Sequence, residues 1–200
     1  MAAIRAELKS RNELLFQRAK NLIQRSKTIA VHAPSSFPTA TSHGSEHLET
    51  VEKIADMLLP VELVRVLNDH EIYFLLLAVY YHDLGMVGEE REFSTEEGRD
   101  KIRRQHAISV GTKIVADWRE LGFENENEAR ILAEICRGHR PDKDGEGVAN
   151  WNSLDSVKPI RPGESIRLRL VAALIYSIDE LHLGDDRAEE RLKKWINIEN

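Results

Sequence analysis

Residues 71–86 read EIYFLLLAVYYHDLGM. The run YFLLLAVYY inside this stretch is apolar on nearly every side, and its flanks are charged. A strand is an open alternative for so short a run, but the composition of the flanks favours a helix over residues 71–83. A helix that is apolar all round belongs at the centre of a bundle. We therefore expect this helix to form the core of the fold, with His82 and Asp83 at its end.

The remaining segments predict further helices and an all-α fold. Ser94 and Glu97 form a capping box, which predicts the start of a long helix through Ile102 and Trp118. Apolar residues at helical spacing predict other helices over residues 4–27, from Gly44 or Ser45 to Pro60, over 128–138 and over 165–181, followed by an amphipathic tail to Trp195. No strand alternation is apparent, so a single helical bundle is expected.

Composition shifts along the chain predict its domain organisation. We expect an amphipathic N-terminal helix in residues 1–30, a linker rich in Pro, Ser and Thr in 31–43, and one domain in 44–200. Residues 141–163 have no periodicity, and a loop of that length is typical of a lid, a binding loop or a mobile segment; we expect it beside the site. The C-terminal end has no helix stop signal, which predicts a fragment of a longer, multidomain protein.

Charge and cysteine content limit the class of protein. The 200 residues include 28 Lys and Arg against 34 Asp and Glu, a net charge of −6, which gives no general attraction to nucleic acid or anionic membrane. Cys136 is the single cysteine, and the N-terminus lacks a signal-peptide pattern, so a cytoplasmic location is expected. The longest apolar run is far shorter than the roughly 20 residues that a membrane helix needs.

Six ionisable residues lie on the inward faces of the predicted helices. They are His47, His82, Asp83, His106, His139 and Asp179. A buried carboxylate is costly unless a cation balances it, and no Lys or Arg lies on the inward faces of the helices that carry the two aspartates. Imidazole and carboxylate together suit divalent Zn, Mn, Fe, Ni or Co, with Mg where carboxylate and water dominate. The pattern favours a metal site over the alternative, a structural polar network.

The order His47, His82-Asp83, Asp179 resembles the H…HD…D signature of the HD superfamily of metal-dependent phosphohydrolases, over about residues 43–182. The resemblance implies a helical-bundle HD domain in which these four residues hold a first divalent ion. It also implies that Asp83 bridges to a second ion held by His106 and His139. His43 lies one helical turn before His47 and could reach the same cavity.

The surrounding motifs are similar to particular branches of the superfamily. The ligand set resembles the dinuclear branches, which include HD-GYP phosphodiesterases and the HD nucleases of CRISPR effector helicases. The HxxxH start and HDLGM resemble HD modules that bacterial conflict systems fuse to chaperone-type ATPases, which implies a fused or partner ATPase domain. Met86 replaces the HD-GYP lysine, Gly138-His139-Arg140 replaces its HHE triplet, and no GYP motif follows, so cyclic di-GMP hydrolysis is disfavoured. The mononuclear nucleotide triphosphohydrolase branch stays open.

The predicted function is hydrolysis of a phosphoester of a nucleotide or nucleic acid by metal-activated water. Asp83 is expected to bridge the ions, and Arg104 and Arg140 are the nearest candidates to neutralise phosphoryl charge. The acidic balance favours small nucleotides over long nucleic acid. The alternative is a regulatory HD module that senses a nucleotide without turnover. A structural scaffold would leave the two buried aspartates without explanation.

Overall fold

Helices make up most of the secondary structure in residues 3–30, 45–86, 95–139 and 151–181, the part of the chain that the computed structural model describes. The helices are α1 (Ala3–Arg11), α2 (Glu13–Ala30), α3 (Ser45–Leu58), α4 (Val61–Val66), α5 (Asp69–Tyr81), α6 (Glu96–Ala116), α7 (Trp118–Leu121), α8 (Glu126–Arg137) and α9 (Leu168–Glu180). Two short strands, β1 (Lys158–Arg161) and β2 (Glu164–Ile166), and two 3₁₀ turns, Leu84–Met86 and Trp151–Ser153, complete these elements. The all-α prediction is confirmed.

The central helix predicted from the apolar run is α5. Its N-terminus has a capping box, in which the Asn68 side chain accepts from the backbone N–H of Glu71 and the Glu71 carboxylate accepts from that of Asn68. Every residue from 71 to 81 is buried. The helix ends at its C-cap, His82. The core therefore surrounds the helix that delivers the His-Asp pair.

Helices α5, α8 and α9 run in the same direction. Near their N-termini, the Arg167 backbone N–H donates to Glu71 at 2.9 Å, and the Tyr73 hydroxyl donates to Glu128. At their C-terminal ends, the His82 and His139 rings lie 5.3 Å apart between centroids, and His82 Nε2 lies 3.6 Å from Asp179 Oδ1. Three helix C-termini, each carrying partial negative charge, thus converge at one end of the bundle.

The N-terminal segment folds as two helices rather than the one predicted. Asn12 separates α1 from α2, and its Oδ1 accepts from the backbone N–H of Leu15 at 3.1 Å, as an N-cap does. Both helices bury their apolar faces in the same core as α5: Ile4, Leu8, Leu15, Phe16, Ala19, Leu22 and Ile23 are buried. Buried hydrogen bonds also join α2 to α5: Ser26 donates to the Tyr80 carbonyl, and the Tyr81 hydroxyl donates to the Leu22 carbonyl at 3.0 Å.

The start and end of the long helix α6 differ from the prediction. Thr95 is its N-cap, with Oγ1 accepting from the backbone N–H of Gly98 at 3.0 Å, whereas the predicted cap Ser94 lies outside the described residues. The helix stops at Ala116, and Trp118 begins the separate turn α7. Glycine ends that turn, because Gly122 has φ 87°, in the left-handed region.

Part of the predicted loop 141–163 is an antiparallel hairpin. Strands β1 and β2 pair Lys158 with Ile166, and the turn includes Gly163 at φ 80°. The hairpin packs near the N-termini of α5 and α8, where Asn68 Nδ2 donates to the Ser165 carbonyl at 3.0 Å. The prediction that this loop lies beside His82 and Asp83 is therefore wrong for residues 158–163, which lie at the opposite end of α5. Residues 140–150 and the tail 182–200 lie outside the described residues, as does the predicted linker 31–43.

No helix in the described ranges combines the length and the apolar character that crossing a bilayer requires.

Candidate metal centre

The six predicted ligands lie on or just after five different helices. The structure brings all six together. His47 lies in the first turn of α3, and His106 lies at the middle of α6. The other four lie at or just beyond the converging ends of α5, α8 and α9; they are His82, Asp83, His139 and Asp179. Five of the six are buried, and the His106 side chain is 12% exposed.

Asp83 lies between two groups of histidines. Its Oδ2 is 3.3 Å from His47 Nε2 and 3.5 Å from His82 Nε2. Its Oδ1 points the other way and is 3.6 Å from His106 Nε2. The two triads His47–His82–Asp83 and Asp83–His106–His139 each have their donor atoms within 4.8 Å of one another. One carboxylate therefore serves both groups.

Asp179 joins the first group. Its Oδ1 lies 3.6 Å from His82 Nε2 and 3.8 Å from His47 Nε2. Two carboxylates, Asp83 and Asp179, thus face the same pair of imidazoles in a buried setting. A concentration of negative charge of this kind needs a cation, a proton or both.

Backbone carbonyls orient two of the imidazoles. His82 Nδ1 lies 3.0 Å from the Val79 carbonyl oxygen, and His139 Nδ1 hydrogen-bonds that of Cys136. A carbonyl can only accept, so Nδ1 carries the hydrogen in each ring, and Nε2 presents a lone pair when the ring is neutral. Each carbonyl lies in the last turn of its own helix, where carbonyl groups have no partner within the helix. The imidazole N–H groups supply the missing hydrogen bonds.

The local charges shift the pKa values of these rings in opposite directions. Burial disfavours the charged form of His82, but Asp83 and Asp179 outweigh it and raise its pKa to about 9. Burial lowers the pKa of His47, despite its hydrogen bond to Asp83. Burial, together with the neighbouring His106 and His82, lowers the pKa of His139 to about 3. Without a metal, a proton on His82 therefore balances part of the carboxylate charge, while His139 is neutral and available as a ligand.

The spacing of the donor atoms fits divalent cations. His47 Nε2 and His82 Nε2 are 3.3 Å apart, and His106 Nε2 and His139 Nε2 are 3.0 Å apart. Two nitrogens that ligate one ion at about 2.1 Å, with an angle of about 90–109° between them, lie roughly 3.0–3.4 Å apart. Imidazole and carboxylate are also the donor types that divalent transition metals accept together. The clustered residues therefore fit divalent metal ions.

Two predicted site residues lie outside the described part of the structure, and the side chain of a third is not described. The two are His43 and Arg140, and the third is Arg104. The proposed roles of the two arginines in charge neutralisation remain predictions.

Gly85 allows the 3₁₀ turn that follows His82 and Asp83, Leu84–Met86 (the HD turn), to pack against α6. A Cβ built at Gly85 would collide with the carbonyl oxygen of His106 and lie 2.9 Å from the backbone nitrogen of Val110. Because both obstacles are backbone atoms, they cannot move aside as a flexible side chain would. The absence of a side chain at Gly85 thus sets how closely Asp83 approaches His106. A glycine two residues after the His-Asp pair was the available sequence signal.

Replacing Gly85 with alanine is expected to lower the free energy of unfolding by about 1–3 kcal/mol, the usual effect of overpacking. It should also reduce the retention of manganese, because α6 must move away from the HD turn. Thermal unfolding and elemental analysis measure the two effects. Gly163→Ala is the control, since its Cβ would meet nothing within 4 Å and its positive φ strains only the distant hairpin. Unchanged stability and metal retention in Gly85→Ala would contradict the close approach.

Replacing His139 with alanine should remove one of two metal ions and leave the fold intact, because the first triad keeps all of its donors. Elemental analysis gives the metal content, and circular dichroism reports the helices. His70→Ala is the matched control, since His70 is paired with Glu164 at the other end of α5. Retention of both ions by His139→Ala would show that two ions are not held as assigned.

The fold and this site together define an HD-type domain: a helical bundle with a buried His and Asp cluster built around a contiguous His-Asp pair. A family model described as HD-CE matches residues 37–200. The chain therefore belongs to the HD-CE family. HD-type domains use divalent metals, and the buried cluster is suited to bind them. Comparisons with curated proteins and with solved structures found no match.

Proposed function

We propose that this chain is a metal-dependent phosphohydrolase that cleaves a phosphoester of a nucleotide or nucleic acid. The observation that carries the proposal is the position of Asp83, whose two oxygens face two separate groups of imidazoles. A carboxylate shared in this way is the arrangement that a two-metal site for phosphoryl chemistry requires. The family membership supports a hydrolase of this general class.

We assign the ligands of each ion from the donor atoms. His47, His82, Asp83 and Asp179 would hold the first ion, and Asp83, His106 and His139 the second. Divalent cations bound there would supply Lewis-acid activation of water and neutralise charge on the phosphoryl group. The metal could be Mn, Fe, Ni, Co, Zn or Mg, because all accept imidazole or carboxylate ligands.

The chain's own residues would do the remaining work. Asp83 would link the two groups of ligands through its two oxygens. The Val79 and Cys136 carbonyls keep the Nε2 lone pairs of His82 and His139 directed into the site. Asp179 compensates positive charge in the first group. Arg104 and Arg140 would contact the phosphate, since guanidinium groups match phosphate oxygens with paired donors.

A screen of phosphoesters tests this proposal. The chain, reconstituted with manganese, would be assayed with bis(p-nitrophenyl) phosphate and with nucleoside mono-, di- and triphosphates. Asp83→Asn is the control variant, because it keeps the shape of the side chain and removes its charge. We expect turnover of at least one substrate by the wild type and none by the variant. Nucleotide binding without turnover would instead support a regulatory module that acts within a larger protein.

A further inference from the structure

A groove between α6 and α8 carries a charged side chain, Arg137, that has no partner among the described residues. The groove has a volume of about 310 Å³, and its walls include Val115, Ala116, Arg130, Ala133, Glu134 and Arg137. The two helices run antiparallel along it, because His106 meets His139 at one end while Gly111 meets Arg137 further along. Arg137 therefore lies at the end of the groove nearer to the metal centre.

The other charges of the groove are paired. Arg130 Nε donates to Glu126 Oε1 at 2.9 Å, and Glu134 forms an ion pair with Lys158. Arg137 differs, because within the described ranges it makes no hydrogen bond or ion pair, and its Nε is buried without an acceptor. The groove therefore holds one positive charge that no described residue balances.

Neighbouring residues keep Arg137 in this position. A Cβ built at Gly111 would lie 2.8 Å from both Cγ and Cδ of Arg137 and would collide with its Nε. The arginine stem thus occupies the space that the missing side chain leaves on α6. A buried donor on a charged group destabilises a fold unless it is satisfied, and a bound ion is one of the few explanations for such a group.

We propose that Arg137 forms an oxyanion-binding site in the α6–α8 groove, for a phosphate group or a carboxylate. The guanidinium group offers planar, paired donors that match either anion. The buried Ala133 and the half-buried Val115 place apolar surface beside the guanidinium group, which strengthens an ionic contact made there. The site lies beside the histidine cluster and does not depend on the hydrolytic function proposed above.

Calorimetric titration of the metal-free chain with inorganic pyrophosphate tests the site independently of hydrolysis. We expect Arg137→Gln to bind about tenfold more weakly than the wild type or worse, since a charge-assisted hydrogen bond is lost. Arg130→Gln, in the same groove but paired to Glu126, should change the affinity by less than about threefold. Both variants leave the histidine cluster unchanged. A difference in pyrophosphate affinity between them therefore reports binding in the groove and not binding at the cluster.

A second titration with succinate, a dicarboxylate, shows whether the site prefers a carboxylate or a phosphate group. Tighter binding of pyrophosphate supports a phosphate-bearing ligand, whereas tighter binding of succinate supports an acidic peptide side chain. Equal affinities of wild type and Arg137→Gln for both probes, or no binding of either probe, would overturn the proposal.

Two further measurements separate binding from folding. Gly111→Ala should also weaken pyrophosphate binding, because its Cβ displaces Arg137, while alanine favours the helix and keeps the variant folded. The Tm of Arg137→Gln should stay close to that of the wild type, since only the packing of the arginine stem on Gly111 changes and no ion pair with a described residue is lost. A clear fall in that Tm would overturn the claim that the fold leaves Arg137 unpartnered.

Discussion

Replacing Asp83 with alanine is expected to abolish metal binding at both groups and hydrolysis with it. Asp83 is the carboxylate whose oxygens face His47 and His82 on one side and His106 on the other. Its loss leaves the second group without any carboxylate from the described cluster, and the first group with Asp179 alone. Elemental analysis after reconstitution with manganese measures the metal content, and hydrolysis of bis(p-nitrophenyl) phosphate measures the activity.

The control for this substitution is Asp69→Ala on the same helix. Asp69 pairs with Arg11 at 2.8 Å near the N-terminus of α5, far from the cluster. It should retain the wild-type metal content and activity, which shows that losing an aspartate from α5 is not itself disruptive. Full retention of either ion by Asp83→Ala would contradict the shared role of this carboxylate.

Replacing Glu71 with alanine is expected to give the largest loss of stability. The Glu71 side chain is fully buried; it accepts from Arg167 Nε at 2.7 Å and from the backbone N–H groups of Arg167 and Asn68 at 2.9 Å. Removing one partner of a buried ion pair costs roughly 3–5 kcal/mol. Because the Arg167 side chain is 42% exposed and can regain water, we expect a value near the lower limit, about 3 kcal/mol. Urea unfolding measures the change.

The same contacts predict how stability depends on pH. Burial alone would raise the pKa of Glu71, but the hydrogen bonds and charge of Arg167 lower it below the ordinary value of 4.5. The folded state therefore binds this proton less readily than the unfolded state. The contribution of Glu71 is complete above about pH 4.5 and is lost as the pH falls towards the lower, folded value. Glu71→Gln should flatten this acid limb of the stability profile.

The exposed Glu62 of α4 provides a matched control for the unfolding experiments. Alanine at this surface position should change the free energy of unfolding by no more than about 0.5 kcal/mol. If Glu71→Ala were as stable as Glu62→Ala, the buried pair with Arg167 would not hold the start of α9 against α5.

Helix periodicity predicted the inward position of the six clustered ionisable residues, but it did not predict the burial of Glu71. His47, His106 and Asp179 each lie four residues from an apolar core position. Residues four apart share one face of a helix, so these three side chains face the core together with their apolar neighbours. The apolar run before His82 predicted the central helix for the same reason. These are local patterns, and the structure brings the residues they identify into one cluster.

Features that depend on contacts between distant segments were not predictable. The hairpin has strands of four and three residues, too short for an alternating pattern to show. The break at Asn12 interrupts a continuous apolar stripe, so periodicity alone predicts one helix there. The roles of Gly85 and Arg137 depend on how closely α6 approaches the HD turn and α8, which no pattern within one segment reports.

The measurement that tests the metal centre most directly is the stoichiometry of bound metal in the wild-type chain. The protein would be purified after growth with manganese, iron, nickel and zinc available, and analysed for its elements before and after reconstitution. We predict close to two divalent ions per chain, held by the two triads that share Asp83. A chain that retains no metal, even after reconstitution, would contradict the assignment of this cluster as a metal centre.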